Sequence, residues 1–181
     1  MVSLVSFNNK EELKCKQSDR PNILLIVADD LGYTDLGCFG GDINTPNIDR
    51  QAKKGLLFNR FHTAPLCAPT RSMILSGNNN HVASIGSMFT VANTYRQGKP
   101  VYEHHLSDRV VTVAQLLKDG GYQTFIAGKW HIGSENAYIP YAKGFEKSFA
   151  LLEGGANHFG NNAIFENMPP QFIHRQNDGV Y

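Results

Sequence analysis

The sequence is poor in cysteine and has no long apolar run. Its three cysteines, Cys15, Cys38 and Cys67, have unrelated spacings and no C-x-x-C pair. Neither a disulfide framework nor a structural zinc site is therefore expected. The longest apolar stretch, residues 23–28, is far too short to cross a membrane, and the sequence shows no secretory signal and no N-glycosylation sequon. These absences predict a cytoplasmic protein.

The sequence also lacks an excess of charge of one sign. Its 17 basic and 16 acidic residues give a formal net charge of +1 and form no basic block. Because nucleic acids and anionic membranes attract a concentrated positive patch, both kinds of partner are disfavoured. A hydrophobic content of 41% is ordinary for a globular chain that buries a core.

The distribution of apolar residues predicts an α/β domain. Residues 1–19 are polar and aperiodic, and the composition changes at Arg20-Pro21. We therefore divide the chain into a polar N-terminal extension, residues 1–19, and a domain over residues 20–181. The domain opens with a continuous aliphatic run, which predicts a strand covered on both faces, as in a parallel sheet. Strands then alternate with helices, as is typical of the α/β class.

Capping and turn residues set the expected bounds of the later elements. Thr45 is placed to cap a helix with proline at its first position, and Gly55 is expected to end that helix in a left-handed conformation. Val113, Leu116 and Leu117 are expected to share one face of a later helix. The elements expected after the first strand are helices at 47–54, 67–76 and 112–119, extended segments at 56–62 and 122–130, and a loop at 78–80.

Two adjacent aspartates follow the first predicted strand. Asp29 and Asp30 lie at its carboxyl end, where open α/β sheets place ligands. Neighbouring carboxylates repel each other and lose hydration there, so a cation should offset them. Calcium or magnesium, which take oxygen ligands, would do so. The alternative is that the pair begins a turn, with one aspartate capping it.

A cysteine and an arginine are combined at the start of the helix predicted over residues 67–76. Cys67 falls at the helix N-terminus, where free N–H groups and the macrodipole favour negative charge. Arg71 lies about one turn further along, so its guanidinium can hold two oxygens of a tetrahedral anion at the same place. The alternative is that Cys67 is a small buried apolar residue and Arg71 a surface charge.

A lysine and a histidine flank the single tryptophan at the end of another predicted strand. Lys129 and His131 are two positions apart, so they are expected on one face, with Trp130 on the other. A cation and a titratable imidazole on one wall suit an anionic substrate whose leaving group needs a proton. The alternative is that both are solvated loop residues.

Taken together and in this order, these motifs resemble the N-terminal part of a type I sulfatase of the alkaline phosphatase superfamily. The resemblance runs from about residue 20 to at least residue 159, through R-P-N-I-L-L-I-V-A-D-D-L-G, N-T-P-N-I-D, H-T-A-P-L-C-A-P-T-R-S and G-K-W-H. It is closest to the bacterial-type arylsulfatases, whose GKPxYExHL and GANHxG stretches are similar to residues 98–106 and 155–160.

The resemblance implies a mixed, largely parallel central sheet flanked by helices. It also implies that a formylglycine-generating enzyme oxidises Cys67 to formylglycine, whose hydrated aldehyde attacks the sulfur of a small sulfate ester. Asp29, Asp30 and the modified residue 67 would ligate a divalent metal, which the family implies is calcium, with magnesium as the alternative.

The same resemblance assigns Arg71 to orient the formylglycine, Lys129 to grip the sulfate and His131 to hold the diol. The family supplies further metal ligands, a second histidine and a second lysine from a C-terminal half, and nothing after His131 matches them. The chain is therefore expected to hold half a site. Two alternatives stay open: a phosphate or phosphonate monoester hydrolase of the same superfamily, and a truncated sulfatase without catalytic activity.

Overall fold

The computed structural model describes residues 20–88, 95–96 and 99–157, together with the backbone of residues 2–6 and 173–175. The chain divides into two compact units, Met1–Thr63 and Ala64–Tyr181. No helix in the described ranges is long and apolar enough to cross a membrane.

The first unit contains a two-stranded antiparallel sheet. Strand β1 (Val2–Ser6) pairs with β2 (Ile23–Val27), and Leu4 lies opposite Leu25. β1 falls inside the segment assigned to a polar extension. The strand predicted after Arg20-Pro21 is confirmed, but the prediction that both its faces are covered is wrong.

The exposure of β2 shows why. Among the described residues its single paired neighbour is β1, and three of its five side chains are about half exposed: Ile23, Leu24 and Ile26. A continuous apolar run predicts a strand, but whether other elements cover its faces depends on segments far away in the sequence, so the run alone does not decide it.

The first helix has the expected start and a different end. α1 spans Pro46–Lys54 with proline at its first position, as predicted. Thr45 precedes it, but its hydroxyl does not cap the helix; it accepts a hydrogen bond from the Gly37 N–H and donates one to Asp49. Gly55 ends α1 with φ −113°, so the predicted left-handed cap is wrong. Residues 56–62 form no strand, although one was expected there.

The second unit carries two helices and a mixed sheet. α2 spans Cys67–Ser76, which confirms the predicted bounds, and α3 spans Val113–Asp119. β3 (Phe125–Lys129) pairs in parallel with β4 (Lys147–Leu151), which pairs antiparallel with β5 (Ile173–Arg175). Helices and a partly parallel sheet make this an α/β unit, although the described residues form two small sheets where a single central sheet was expected.

Trp130 lies at the centre of the core of this unit. It is fully buried, as are Ile132, Leu106 and Ala150. Its ring meets Phe145 edge to face, with the ring centroids 6.0 Å apart. Tryptophan has a large apolar surface, so burying it fixes the chain on either side.

α3 buries a different face from the one predicted. Leu116 and Val113 are exposed, and Ala114 is the buried residue of the helix. The chain passes so close to the first turn of α3 at Gly144 that a Cβ there would lie 2.6 Å from the Gln115 nitrogen. This approach admits no side chain at position 144, and it brings the chain against the backbone of the turn that carries the buried Ala114.

Candidate active site

Cys67 is the first residue of α2. The preceding residue, Leu66, is extended, and its apolar side chain gives the first turn no cap. Ala68, Pro69 and Ser72 are buried, and they fix the first turn of α2 while the Cys67 side chain stays half-buried. The cysteine therefore lies at a helix N-terminus, where the helix macrodipole favours an anion.

His131 lies beside this cysteine. Its Nδ1 atom is 3.2 Å from the Cys67 Sγ atom, although the two residues are 64 positions apart in the sequence. β3 ends at Lys129, and the buried Trp130 anchors the chain before the histidine. The His131 N–H donates to the Leu152 carbonyl at 3.0 Å, and its φ is +62°. A left-handed non-glycine residue is uncommon, and such strain is typical of functional sites.

Arg71 and Lys129 are joined through the backbone. The Arg71 guanidinium donates to the Lys129 carbonyl at 3.0 Å. Both side chains are half-buried, while Trp130 between Lys129 and His131 is buried. The structure thus brings Cys67 together with His131, and Arg71 together with the strand end that carries Lys129.

A stack of side chains supports this strand end. The Trp130 indole N–H donates to the Tyr138 carbonyl at 2.9 Å, and the Tyr138 ring stacks on His105 with centroids 3.6 Å apart. The Lys143 ammonium lies 5.0 Å from the Tyr138 ring centroid and 2.7 Å from Asp108. This hydrogen bond and the charge of Lys143 lower the pKa of the Asp108 carboxyl.

Asp29 and Asp30 belong to the first unit. Both are exposed and follow β2, and Asp30 has φ +51°, a conformation that aspartate tolerates better than most residues. In the described part of the chain, no group of three or more histidine, cysteine, aspartate or glutamate side chains could hold a metal ion. Calcium takes roughly six to eight oxygen ligands. The two carboxylates alone do not make such a site.

The sequence did not predict that Met88 contacts Cys67. The Cys67 Sγ atom lies 3.6 Å from the Met88 Sδ atom. Met88 follows Ser87, whose backbone forms a hydrogen bond with His104, and burial lowers the pKa of His104 more than that bond raises it. The stretch around Met88 has no clear periodicity, so no local signal marks it.

Comparison with known proteins gives this arrangement its context. The sulfatase family model matches residues 21–180. The chain is 44% identical over 179 residues to an uncharacterized sulfatase of Schizosaccharomyces pombe, covering 94% of this chain and 31% of that protein. It is 46% identical over 148 residues to an arylsulfatase of Klebsiella aerogenes, covering 82% of this chain and 31% of that protein.

Solved structures agree with these relatives. The crystal structure of Ps i-CgsB matches with a TM-score of 0.65 at 32% identity, over 84% of this chain and 35% of that one. The chain therefore spans about a third of the length of the proteins it matches, a partial, N-terminal portion, as the sequence predicted. Because the family model matches nearly all of the chain, the protein belongs to the sulfatase family.

Proposed function

We propose that this chain forms the nucleophile-bearing portion of a sulfuric ester hydrolase that cleaves aryl or alkyl sulfate monoesters. The observation that carries the proposal is the 3.2 Å contact between Cys67 at the start of α2 and the imidazole of His131. Membership of the sulfatase family supports the same reaction. A formylglycine-generating enzyme would convert Cys67 into the nucleophile.

The reaction we propose has two covalent steps. One hydroxyl of the hydrated formylglycine at position 67 attacks the ester sulfur, the S–O bond to the alcohol or phenol breaks, and the leaving oxygen takes a proton. Loss of the proton from the second hydroxyl then re-forms the aldehyde and expels sulfate. Water adds to the aldehyde and restores the diol. Elimination avoids a second attack on a negatively charged sulfate group.

The neighbouring residues have separate tasks in this proposal. His131 holds the diol, because its Nδ1 lies beside the thiol sulfur, which stands in for the formylglycine oxygen. Arg71 orients the modified residue, since it lies on the next turn of α2. Lys129 contributes its ammonium to the sulfate. The first turn of α2 adds N–H groups that favour the same negative charge.

Two of the proposed metal ligands are residues of the first unit. We propose Asp29 and Asp30, with the modified residue 67, as ligands of calcium, or of magnesium as the alternative. The sequence and the family support this assignment. On the same basis we propose that the whole protein has the largely parallel central sheet of the alkaline phosphatase superfamily. β3 and β4 would be two strands of that sheet.

The direct test is a comparison of two substrates with the same leaving group. Chain carrying formylglycine at position 67 is assayed with 4-nitrophenyl sulfate and with 4-nitrophenyl phosphate, and Cys67→Ala is the control. Faster, Cys67-dependent hydrolysis of the sulfate supports a sulfatase. Preference for the phosphate contradicts this and favours a phosphomonoester hydrolase. No turnover of either ester by fully modified chain favours the truncated, non-catalytic alternative.

A further inference from the structure

Gly154 lies against the imidazole ring of His131. A Cβ atom built at Gly154 would lie 2.6 Å from both Cε1 and Nε2 of His131 and 3.2 Å from its Nδ1. Carbon atoms in favourable contact are about 3.5–4.0 Å apart, so a methyl group and the ring cannot both occupy these places. Position 154 therefore admits the ring only because it has no side chain.

The backbone at Gly154 gives no other reason for glycine. Its φ lies outside the left-handed region, so alanine can adopt the same backbone conformation. The three nearest atoms to the added Cβ all belong to the imidazole. A substitution is therefore expected to move the ring, which turns about its own side-chain bonds, before it moves the chain.

One segment thus holds both the backbone and the ring of His131. The Leu152 carbonyl accepts the His131 N–H at 3.0 Å, and Gly154 bounds the ring two positions further along. The Nδ1 atom of the same ring lies 3.2 Å from the Cys67 Sγ atom. The imidazole therefore lies between the Cys67 thiol and the backbone of Gly154.

We propose that Gly154 is a positioning residue, which keeps the His131 imidazole at residue 67 by leaving space for its ring. The catalytic meaning of this inference rests on the proposed function, but the geometric claim does not. In a working enzyme, Gly154→Ala is expected to lower kcat about tenfold or more with KM within twofold, because a displacement of about 1 Å can cost about a hundredfold. KM is spared because the substitution leaves Arg71 and Lys129 in place.

The geometric claim is tested on the unmodified thiol, without any sulfatase activity. A thiol in a hydrogen bond with an imidazole presents a more nucleophilic sulfur, so the rate at which iodoacetamide alkylates Cys67 reports whether the ring is in place. Peptide mass spectrometry measures the rate at Cys67, with Cys38 in the same chain as the internal reference. Gly154→Ala is expected to lower the alkylation rate of Cys67 about as much as His131→Ala does. The alkylation rate of Cys38 should be the same in all variants.

A double variant separates positioning from a general structural effect. In a His131→Ala background the ring that the new methyl group would strike is absent, so adding Gly154→Ala should change the Cys67 rate less than twofold. Gly120→Ala, at a glycine with φ −74° at the end of α3, is the matched control and should leave the rate unchanged. If Gly154→Ala alone fails to fold, the double variant should fold again, because the clash is gone.

Two results would overturn the inference. One is a Gly154→Ala chain whose Cys67 rate stays within twofold of the parent. The other is an equal loss, of rate or of folding, with and without the histidine ring. Failure of the proposed function has a different signature: the alkylation results stand, while formylglycine-bearing chain hydrolyses no sulfate ester.

Discussion

The Arg71 guanidinium donates a hydrogen bond to the backbone carbonyl of Lys129, 58 residues further along the chain. This contact ties α2 to the end of β3 and therefore helps to hold Cys67 beside His131. It uses the carbonyl of Lys129 and not its ammonium. The two cationic residues can thus be tested separately.

Replacing Lys129 is expected to weaken sulfate binding without unfolding the chain. Lys129→Ala keeps the carbonyl that Arg71 binds and removes one charge facing the proposed sulfate. A hydrogen bond to a charged group contributes about 1.5–3 kcal/mol, so kcat/KM for 4-nitrophenyl sulfate should fall roughly tenfold to a hundredfold. Thermal unfolding should be unchanged, and Lys118→Ala, an exposed lysine of α3, is the control. Unaltered kinetics in Lys129→Ala would contradict a role for this lysine in sulfate binding.

Replacing Arg71 is expected to lower both stability and activity. Arg71→Ala leaves the Lys129 carbonyl without this donor inside a half-buried site, which costs about 1–3 kcal/mol. Urea unfolding measures that loss, and the turnover assay shows whether the site is also disturbed. Arg71→Lys should recover only part of either quantity, because lysine lacks the planar fork of donors. Full stability in Arg71→Ala would show that the contact with Lys129 does not hold the site together.

The nucleophile is expected to be formylglycine in active preparations. Oxidation replaces CH2–SH with CHO and lowers the residue mass by about 18 Da, a covalent change visible in the peptide spanning residues 66–71. Chain made in cells without the modifying enzyme should keep the thiol and be nearly inactive, because a thiol has no second hydroxyl with which to expel sulfate. The measurement pairs peptide mass spectrometry with turnover of the same sample. Full activity with every Cys67 still a thiol would falsify the mechanism.

The Lys143 to Asp108 pair is expected to make stability fall in acid. The hydrogen bond from Lys143 lowers the pKa of Asp108 in the folded chain, so its contribution is present above the unfolded pKa of about 4 and is lost as pH falls through the folded pKa. Asp108 is largely exposed, so the contribution is at most about 1 kcal/mol. Unfolding at pH 6 and at pH 3 should show a smaller difference for Asp108→Asn than for the parent. Asp42→Asn, at another exposed aspartate, should retain the parent difference.

The parts of the fold that could be predicted are those that local chemistry decides. α2 has the predicted bounds because Pro69 suits a first turn and Gly77, with φ +66°, can end a helix in the left-handed conformation. β3 lies within its predicted segment for a similar reason, since a glycine pair precedes it and an apolar run forms it. Residues 56–62 have apolar side chains too, but a strand needs a pairing partner that its own sequence does not specify.

In the candidate site, too, contacts between residues close in the sequence could be predicted, and contacts between distant residues could not. Cys67 and Arg71 are one turn apart, so the sequence alone could place them together. The contact of Cys67 with His131 joins distant positions, and only the resemblance to sulfatases implied it before the structure placed the two side chains 3.2 Å apart. Met88 and Gly154 were missed because one lies in a stretch without periodicity and the other acts by having no side chain.

The long separation between Cys67 and His131 also sets a time interval during translation. Ribosomes add roughly 5–20 residues per second, so His131, 64 positions after Cys67, is added roughly 3–13 s later. An isolated helix as short as α2, 10 residues, is marginal in water, so we expect no stable helix in this segment until later partners emerge. If a modifying enzyme reads extended chain, it must reach Cys67 within that interval. In that case we expect codon choice between residues 67 and 131 to influence how much of Cys67 is modified, without changing a single amino acid.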